Sequence, residues 1–349
     1  MVKSNYIGSG SYGCAIKPGF SCSPSNDIID NTISKLFSSE RDYRDEVDIY
    51  KKVAAIDKDN KFTLKLISNC EIKPAYVNNN VGNINECKII KNKEKVYQII
   101  YEYGGLDLFK LFLNNQVTTT HPNLNIYQFL KKFIEIFKGL EILKRNGLVH
   151  RDIKIDNILF DGTKIILIDF GLLTTTDMTY KGSNPELYYD NQPFHYPIEV
   201  MLFSALLLNR EIPNIEQNFL TMIDNYIQSN KNKFNQNQVY LNEIMKLNTY
   251  LSLKSKAYQD YFKTTYNKGT ITLFDINEIT KNISEKIDLY QLGIVIYDLI
   301  IIMIVIYKPQ EINKIPIGVF QLLRGILEPN PFERYDINKV IDKYSKLFP

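Results

Sequence analysis

The stretch GSGSYG, Gly8 to Gly13, sets three glycines in a G-x-G-x-x-G pattern. Glycines at this spacing let a backbone come close to phosphate groups, so the chemistry on offer is the holding of a nucleotide's phosphates. A dinucleotide-binding fold uses the same pattern, but it must open a helix after the last glycine. Here Cys14-Ala15-Ile16-Lys17-Pro18-Gly19 follows. That run predicts an extended strand and then a turn, which fits a β-hairpin over phosphates better. Two further stretches bring charge and oxygen donors. HRDIKIDNILF (150–160) carries Asp152, Lys154 and Asn157, and IDFG (168–171) carries Asp169, 12 residues beyond Asn157. Either stretch alone would read as a turn or a surface loop.

The elements that must position these residues change character along the chain. Residues 1–103 read as strand-rich with one helix. NTISKLF (31–37) is a short apolar strand carrying Lys35, and YRDEVDIYKKVAAI (43–56) places Val47, Tyr50, Val53 and Ala54 at helical spacing. NNNVGN (78–83) reads as a polar loop, and KVYQIIYEYGG (95–105) as a strand ending in a glycine pair, a natural hinge. Beyond it the chain turns helical. NIYQFLKKFIEIFKGLEILKRNG (125–147) predicts one long helix with Asn125 as N-cap and Gly147 as its stop. Two short strands, NILF and KIILIDF, flank a turn at Asp161-Gly162. Residues 215–262 return to amphipathic helix.

The combination resembles the eukaryotic-type protein kinases, whose catalytic loop is H-R-D-x-x-x-x-N and whose metal loop is D-F-G. The resemblance runs through nearly the whole chain in the right order. It implies an α+β, bilobal fold: a small β-rich lobe at 1–103 and a larger, mainly helical lobe at 104–349. It also implies ATP with Mg²⁺, or Mn²⁺ in its place, as cofactors and proteins as substrates. Ile7, Gly8, Ser9, Gly10, Gly13 and Ala15 would line the Gly-rich loop, with Lys35 reaching the α- and β-phosphates. Glu46 would orient Lys35, with Glu40 and Asp45 as the alternatives. Tyr101 takes the gatekeeper position, Glu102 and Tyr103 the hinge, and Asp107 the ribose. Asp152 would accept or orient the substrate hydroxyl proton, and Lys154 would neutralise the transferring phosphoryl group. Asn157 and Asp169 would hold the metal. Lysine at 154 is similar to the serine/threonine-specific members.

Other matches are structural, and some depart from the family. HYPIEVML stands in for A-P-E, so Glu199 is expected to pair with Arg334 as a buried ion pair. DLYQLG opens with Asp288, expected to brace the catalytic loop near His150 and Arg151, with Tyr290 where the family has Trp. Asp288 lies 89 residues after Glu199, far more than the family allows, so residues 204–284 read as a largely helical insertion. Thr174, Thr175, Thr176, Thr179 and Ser183 fall where activation-loop phosphates occur, and Arg151 could receive one. Two alternatives stay open. A nucleotide-binding pseudokinase or scaffold would usually lack the equivalents of Lys35, Asp152 or Asp169. A small-molecule kinase would lack the D-F-G.

Composition constrains the rest. The chain has 349 residues, 44% hydrophobic and 23% charged, with a net charge of +3. Nothing global points to nucleic acid. Lys51-Lys52 and Lys131-Lys132 read as solvated helix faces. Cys14, Cys22, Cys70 and Cys87 form no C-x-x-C pair, so reduced thiols and a cytoplasmic setting are expected. The N-terminus lacks the apolar core of a signal peptide. The Asn- and Ile-rich composition resembles kinases of large DNA viruses, which would place it in host cytoplasm or a virion. DLYQLGIVIYDLIIIMIVIYKP (288–309) is almost long enough to span a bilayer. Asp298 at its middle would cost about 2.5–3.5 kcal/mol there. A buried core helix is the expected reading, without membrane insertion.

Overall fold

The computed structural model describes residues 4–10, 13–23, 27–114, 116–176, 195–208, 210–211, 218–266 and 273–349. The chain divides into two units, Met1–Leu106 with Leu159–Gly171, and Asp107–Ile158 with Leu172–Pro349. The first therefore extends a few residues past 103 and takes in a later segment that carries Asp169.

The first unit is built on a sheet. Strands β1 (Ser4–Ser9) and β2 (Cys14–Lys17) form a hairpin, Gly8 opposite Ala15 and Ser9 opposite Cys14. The Gly-rich stretch is its tip. Short strands β3 (Gly19–Phe20) and β4 (Ile28–Ile29) pair beside it. β5 (Thr32–Phe37) leads into helix α1 (Glu40–Ile56), which starts at a Ser39 cap whose hydroxyl accepts from the Asp42 N–H. Val47, Tyr50 and Val53 form its buried face. β6 (Leu66–Ile72) precedes α2 (Pro74–Asn80), β7 (Val81–Gly82) and β8 (Val96–Glu102). The sheet order is β6-β8-β5-β2-β1-β7. Segment 78–83 is thus not a polar loop. Its first half finishes α2, and Val81 and Gly82 pair with β1, because Val81 is buried in the same apolar cluster as Ile16 and Phe20.

The cysteines also correct the sequence reading. Cys14 is bridged to Cys87 and Cys22 to Cys70, with Cα atoms 6.0 and 5.8 Å apart. Both separations suit a disulfide. The partners are 73 and 48 residues apart in sequence, so only the fold brings them together.

The second unit is mainly helical. After β9 (Leu106–Asp107) come α3 (Val117–Thr120), α4 (Ile126–Lys131) and α5 (Phe133–Arg145). The single helix expected over 125–147 is thus two, parted at Lys132. The Leu130 carbonyl at that point accepts from the Tyr344 hydroxyl, a partner from the far end of the chain. Asn125 caps α4, and Gly147 follows the end of α5 with a positive φ of 65°. β10 (Leu148–Val149) leads to the catalytic-loop sequence. Strands β11 (Ile158–Phe160) and β12 (Ile165–Leu167), nearly all in the first unit, follow in the chain, and β13 (Thr174–Thr175) pairs back on β10.

Further along lie α6 (Ile198–Leu207), α7 (Asn218–Ser229), α8 (Lys231–Asn235), α9 (Gln238–Thr265) and α10 (Leu273–Ile306). Three more helices close the chain: α11 (Pro309–Ile312), α12 (Gly318–Ile326) and α13 (Ile337–Leu347). The described part of 204–284, expected as an insertion, is packed. Tyr258 and Phe262 of α9 bury against Ile198, Met201 and Leu202 of α6. Ile279 and Ile283 of α10 join Val149, Tyr196, Val200 and Phe203. Each such side chain taken out of water contributes about 1.5–3 kcal/mol. The apolar stretch itself lies in α10, which has the length and hydropathy of a membrane span. Yet 83% of its most apolar window is buried within the protein. Leu292, Tyr297, Leu299 and Ile300 have no exposed surface.

Candidate active site

In the first unit the hairpin tip closes with a hydrogen bond from the Gly10 N–H to the Gly13 carbonyl, 2.9 Å. A side chain at Gly13 would stand 2.7 Å from the Leu36 carbonyl, so only glycine lets β2 approach β5 there. Ile7 is partly exposed at this end, and Ala15 faces Lys35 across the register. Lys35 Nζ lies 2.5 Å from Glu46 Oε2. Glu40 and Asp45 instead face Arg44 and Arg41 on the surface of α1. The other Glu46 oxygen accepts from the Tyr101 hydroxyl at 3.1 Å. Tyr50 packs on Tyr101 and, on its other side, on Phe170, with ring centroids 4.7 and 5.7 Å away. Burial pushes both tyrosine hydroxyls well up, with the Glu46 carboxylate adding to it.

The same unit holds Asp169, in left-handed backbone with φ 60°. That geometry is unusual for a residue other than glycine and persists only where neighbours enforce it. Glu102 and Tyr103 are tied by backbone bonds to Lys65 and Asn31, and Lys17 Nζ sits 3.1 Å over the Tyr103 ring. Gly105, φ 90°, is forced by contact: a side chain there would meet the Phe160 carbonyl at 1.9 Å.

In the second unit the groups gather on Asp152. Lys154 Nζ lies 2.8 Å from Asp152 Oδ2, and Asn157 Nδ2 donates to the same oxygen at 2.9 Å and to the Asp152 carbonyl at 2.8 Å. His195 Nε2 stands 3.3 Å from the other oxygen, Oδ1. Burial raises the Asp152 carboxyl, but the hydrogen bonds and charges of His195 and Lys154 outweigh it and hold it well below the usual carboxylate range. Such a group stays ionised and is a weak proton acceptor. It is better suited to orienting a hydroxyl than to removing its proton early.

The loop around Asp152 is held from outside. Asp288 accepts the His150 and Arg151 N–H groups, both at 2.7 Å. Gln291, one turn further on α10, accepts from the Ile153 N–H and donates to the Arg151 carbonyl, both at 3.0 Å. The Tyr196 hydroxyl reaches that same carbonyl at 2.5 Å. His150 is fully buried, and its Nδ1 accepts from the Asp152 N–H. These bonds hold Arg151 at φ 74°. Burial raises the Asp288 carboxyl, against the opposing pull of His150 and the two N–H groups. Glu199 Oε1 and Arg334 Nη1 are 2.6 Å apart, both side chains without exposed surface.

Other expected positions have local partners. Asp107 accepts from the Lys110 N–H at 2.7 Å and pairs with its ammonium at 3.0 Å, so it caps the turn that follows it. Thr174 and Thr175 lie in β13, and the Thr176 N–H donates to the Gly147 carbonyl. Thr179 and Ser183 lie outside the described residues. Gln291, Tyr196 and His195 were missed. Gln291 carries a signal, since it is three residues from Asp288 and so on the same helix face. The other two follow only from the fold.

Asn157 in the second unit and Asp169 in the first each carry an oxygen donor of the kind a divalent cation takes. Asn157 spends its Nδ2 on Asp152, which leaves Oδ1 as a hard oxygen donor, and Asp169 offers a carboxylate. No group of three or more His, Cys, Asp or Glu suited to a metal occurs among the described residues.

Residues 33–189 match the protein kinase domain model. The chain is 28% identical over 144 residues to the CTD kinase subunit alpha of Saccharomyces cerevisiae, covering 41% of this chain and 26% of that protein. It is 29% identical over 125 residues to the serine/threonine/tyrosine-protein kinase HT1 of Arabidopsis thaliana, covering 33% and 31%. It is 30% identical over 209 residues to the probable serine/threonine-protein kinase KIN1 homolog of Enterocytozoon bieneusi, covering 53% and 34%. The chain thus matches about a quarter to a third of the length of these relatives. The domain match falls on residues 33–189 and is the part of the chain that is similar to protein kinases.

Proposed function

We propose that the protein transfers the γ-phosphate of ATP to serine or threonine hydroxyls of protein substrates. The observation that carries this reading is the Asp152 carboxylate, with Lys154 and Asn157 converging on one of its oxygens. In this reading Asp152 aligns the substrate hydroxyl, and Lys154 stands beside it to meet the charge of the phosphoryl group. Lys35, set by Glu46, neutralises the non-transferring phosphates, and the backbone of the hairpin tip covers them. Asp169 and Asn157 would hold Mg²⁺, whose charge would neutralise the phosphate oxygens when bound. Lysine at 154 and the relatives named as serine/threonine kinases favour those hydroxyls over tyrosine.

Incubation with labelled ATP, Mg²⁺ and generic protein substrates tests it. Transfer is expected on serine and threonine, and Asp152→Asn and Asp169→Ala should each lower it by about 100-fold or more. Activity that survives both substitutions would remove these assignments. No transfer, together with a melting temperature that rises with ATP, would mark a nucleotide-binding scaffold instead.

A further inference from the structure

His195 belongs to neither motif that carries the kinase reading, yet it stands against the carboxylate at the centre of that reading. The two Asp152 oxygens are served from different places. Oδ2 takes Lys154 and Asn157, both from the catalytic loop itself. Oδ1 faces His195 Nε2 at 3.3 Å, from a segment 43 residues later in the chain. The two side chains are only 12% and 15% exposed, so water competes little for this contact.

The segment bearing His195 is itself pinned. Its ring lies 4.8 Å from that of Tyr196, whose hydroxyl bonds the Arg151 carbonyl, one residue before Asp152. Two residues beyond Tyr196, α6 begins, and its Glu199 is locked to Arg334. The insertion-derived side chains Tyr258, Phe262, Ile279 and Ile283 pack on α6 and Tyr196 from behind. An imidazole delivered by so anchored a segment is built into place.

Resting on the kinase reading, we propose that His195 is a positioning residue for phosphoryl transfer: its Nε2–H, 3.3 Å from Asp152 Oδ1 but off the line of a formed hydrogen bond, swings to donate to that oxygen when substrate binds and so fixes the carboxylate plane that aligns the substrate hydroxyl. With Oδ2 already engaged by Lys154 and Asn157, a donor on Oδ1 removes the remaining rotational freedom about χ2. Carboxylate χ2 is otherwise a broad torsion. The role requires a donor at that point.

Steady-state kinetics on four proteins test it: wild type, His195→Phe, His195→Leu and His195→Gln. Phe keeps the ring against Tyr196 and Leu keeps apolar bulk, and both lack the donor. Gln brings an amide N–H about as far as Nε2. The donor-less variants should lose about tenfold or more in kcat, with KM for ATP and for a peptide substrate within about twofold. Gln should recover kcat to within about threefold of wild type. All three should keep the wild-type melting temperature and its rise with MgATP. Wild-type kcat in either donor-less variant overturns the role. So does a Gln variant as slow as Leu, which would mean that the imidazole's own proton chemistry is needed, and so does a loss confined to melting temperature. A wild-type protein that transfers no phosphate overturns the kinase reading itself, and this role with it.

Discussion

At the scale of single residues, two carboxylates in the second unit are driven in opposite directions by their neighbours. Asp152 is held low because His195 and Lys154 favour its charged form. Asp298, on α10, has no such help, and burial alone pushes its carboxyl up to about 7. The folded protein therefore binds a proton at Asp298 over a pH range in which the unfolded chain has released it. Stability from this group is fully present below the unfolded value near 4 and is lost as pH rises towards about 7. Asp298→Asn should accordingly raise the melting temperature, by a larger amount at pH 8 than at pH 5. Part of the residue reaches the surface, which tempers the size. A gain of about 1 kcal/mol corresponds to roughly 2–4 °C. Thermal unfolding at both pH values checks it, and an equal gain at both would count against the argument. The cluster around Asp152 was legible in the sequence only in part. Lys154 and Asn157 lie at fixed offsets from it in one loop. His195 and Tyr196 reach it across the fold, beside a degenerate A-P-E, and no offset announces them.

At the scale of elements, periodicity served well where one face of a helix meets one neighbour. Val47, Tyr50 and Val53 are the buried face of α1, as their spacing predicts, but Ala54, placed on the same stripe, is exposed. It missed the break at Lys132 between α4 and α5, where the Leu130 carbonyl also accepts from the Tyr344 hydroxyl. It also failed at α2 and β7, where asparagines suggested a loop but Val81 is drawn into the core. The join between α6 and the segment before α13 rests on Glu199 and Arg334. Arg334 also donates to the Glu328 carbonyl at 2.8 Å, so its charge is well shared. Burial raises the Glu199 carboxyl, and the Arg334 charge and hydrogen bond oppose that shift. Arg334→Ala would leave a buried carboxylate uncompensated and should destabilise by about 3–5 kcal/mol. Urea denaturation checks this. A midpoint within error of wild type would mean that water reaches Glu199.

At the scale of the whole molecule, the first unit carries both bridges, and no C-x-x-C spacing pointed to either. They join β2 to the turn after Ile84–Glu86 and the segment after β3 to β6. Thiol titration of the denatured, unreduced protein should find no free cysteine, against four if the bridges do not form. Reduction should lower the melting temperature, since opening loops of this length typically removes about 2–5 kcal/mol. In the second unit, α10 runs unbroken for 34 residues, about 51 Å at 1.5 Å per residue. Its first turns belong to the segment 204–284, expected as an insertion, and its later turns supply Asp288 and Gln291 to the loop around Asp152. The insertion is therefore not a detachable module. Excising it at residue 284 would shorten the beam on which the loop hangs and strip Ile279 and Ile283 from behind Tyr196. Any pared-down version of this protein has to keep the helix whole and close the gap upstream of it.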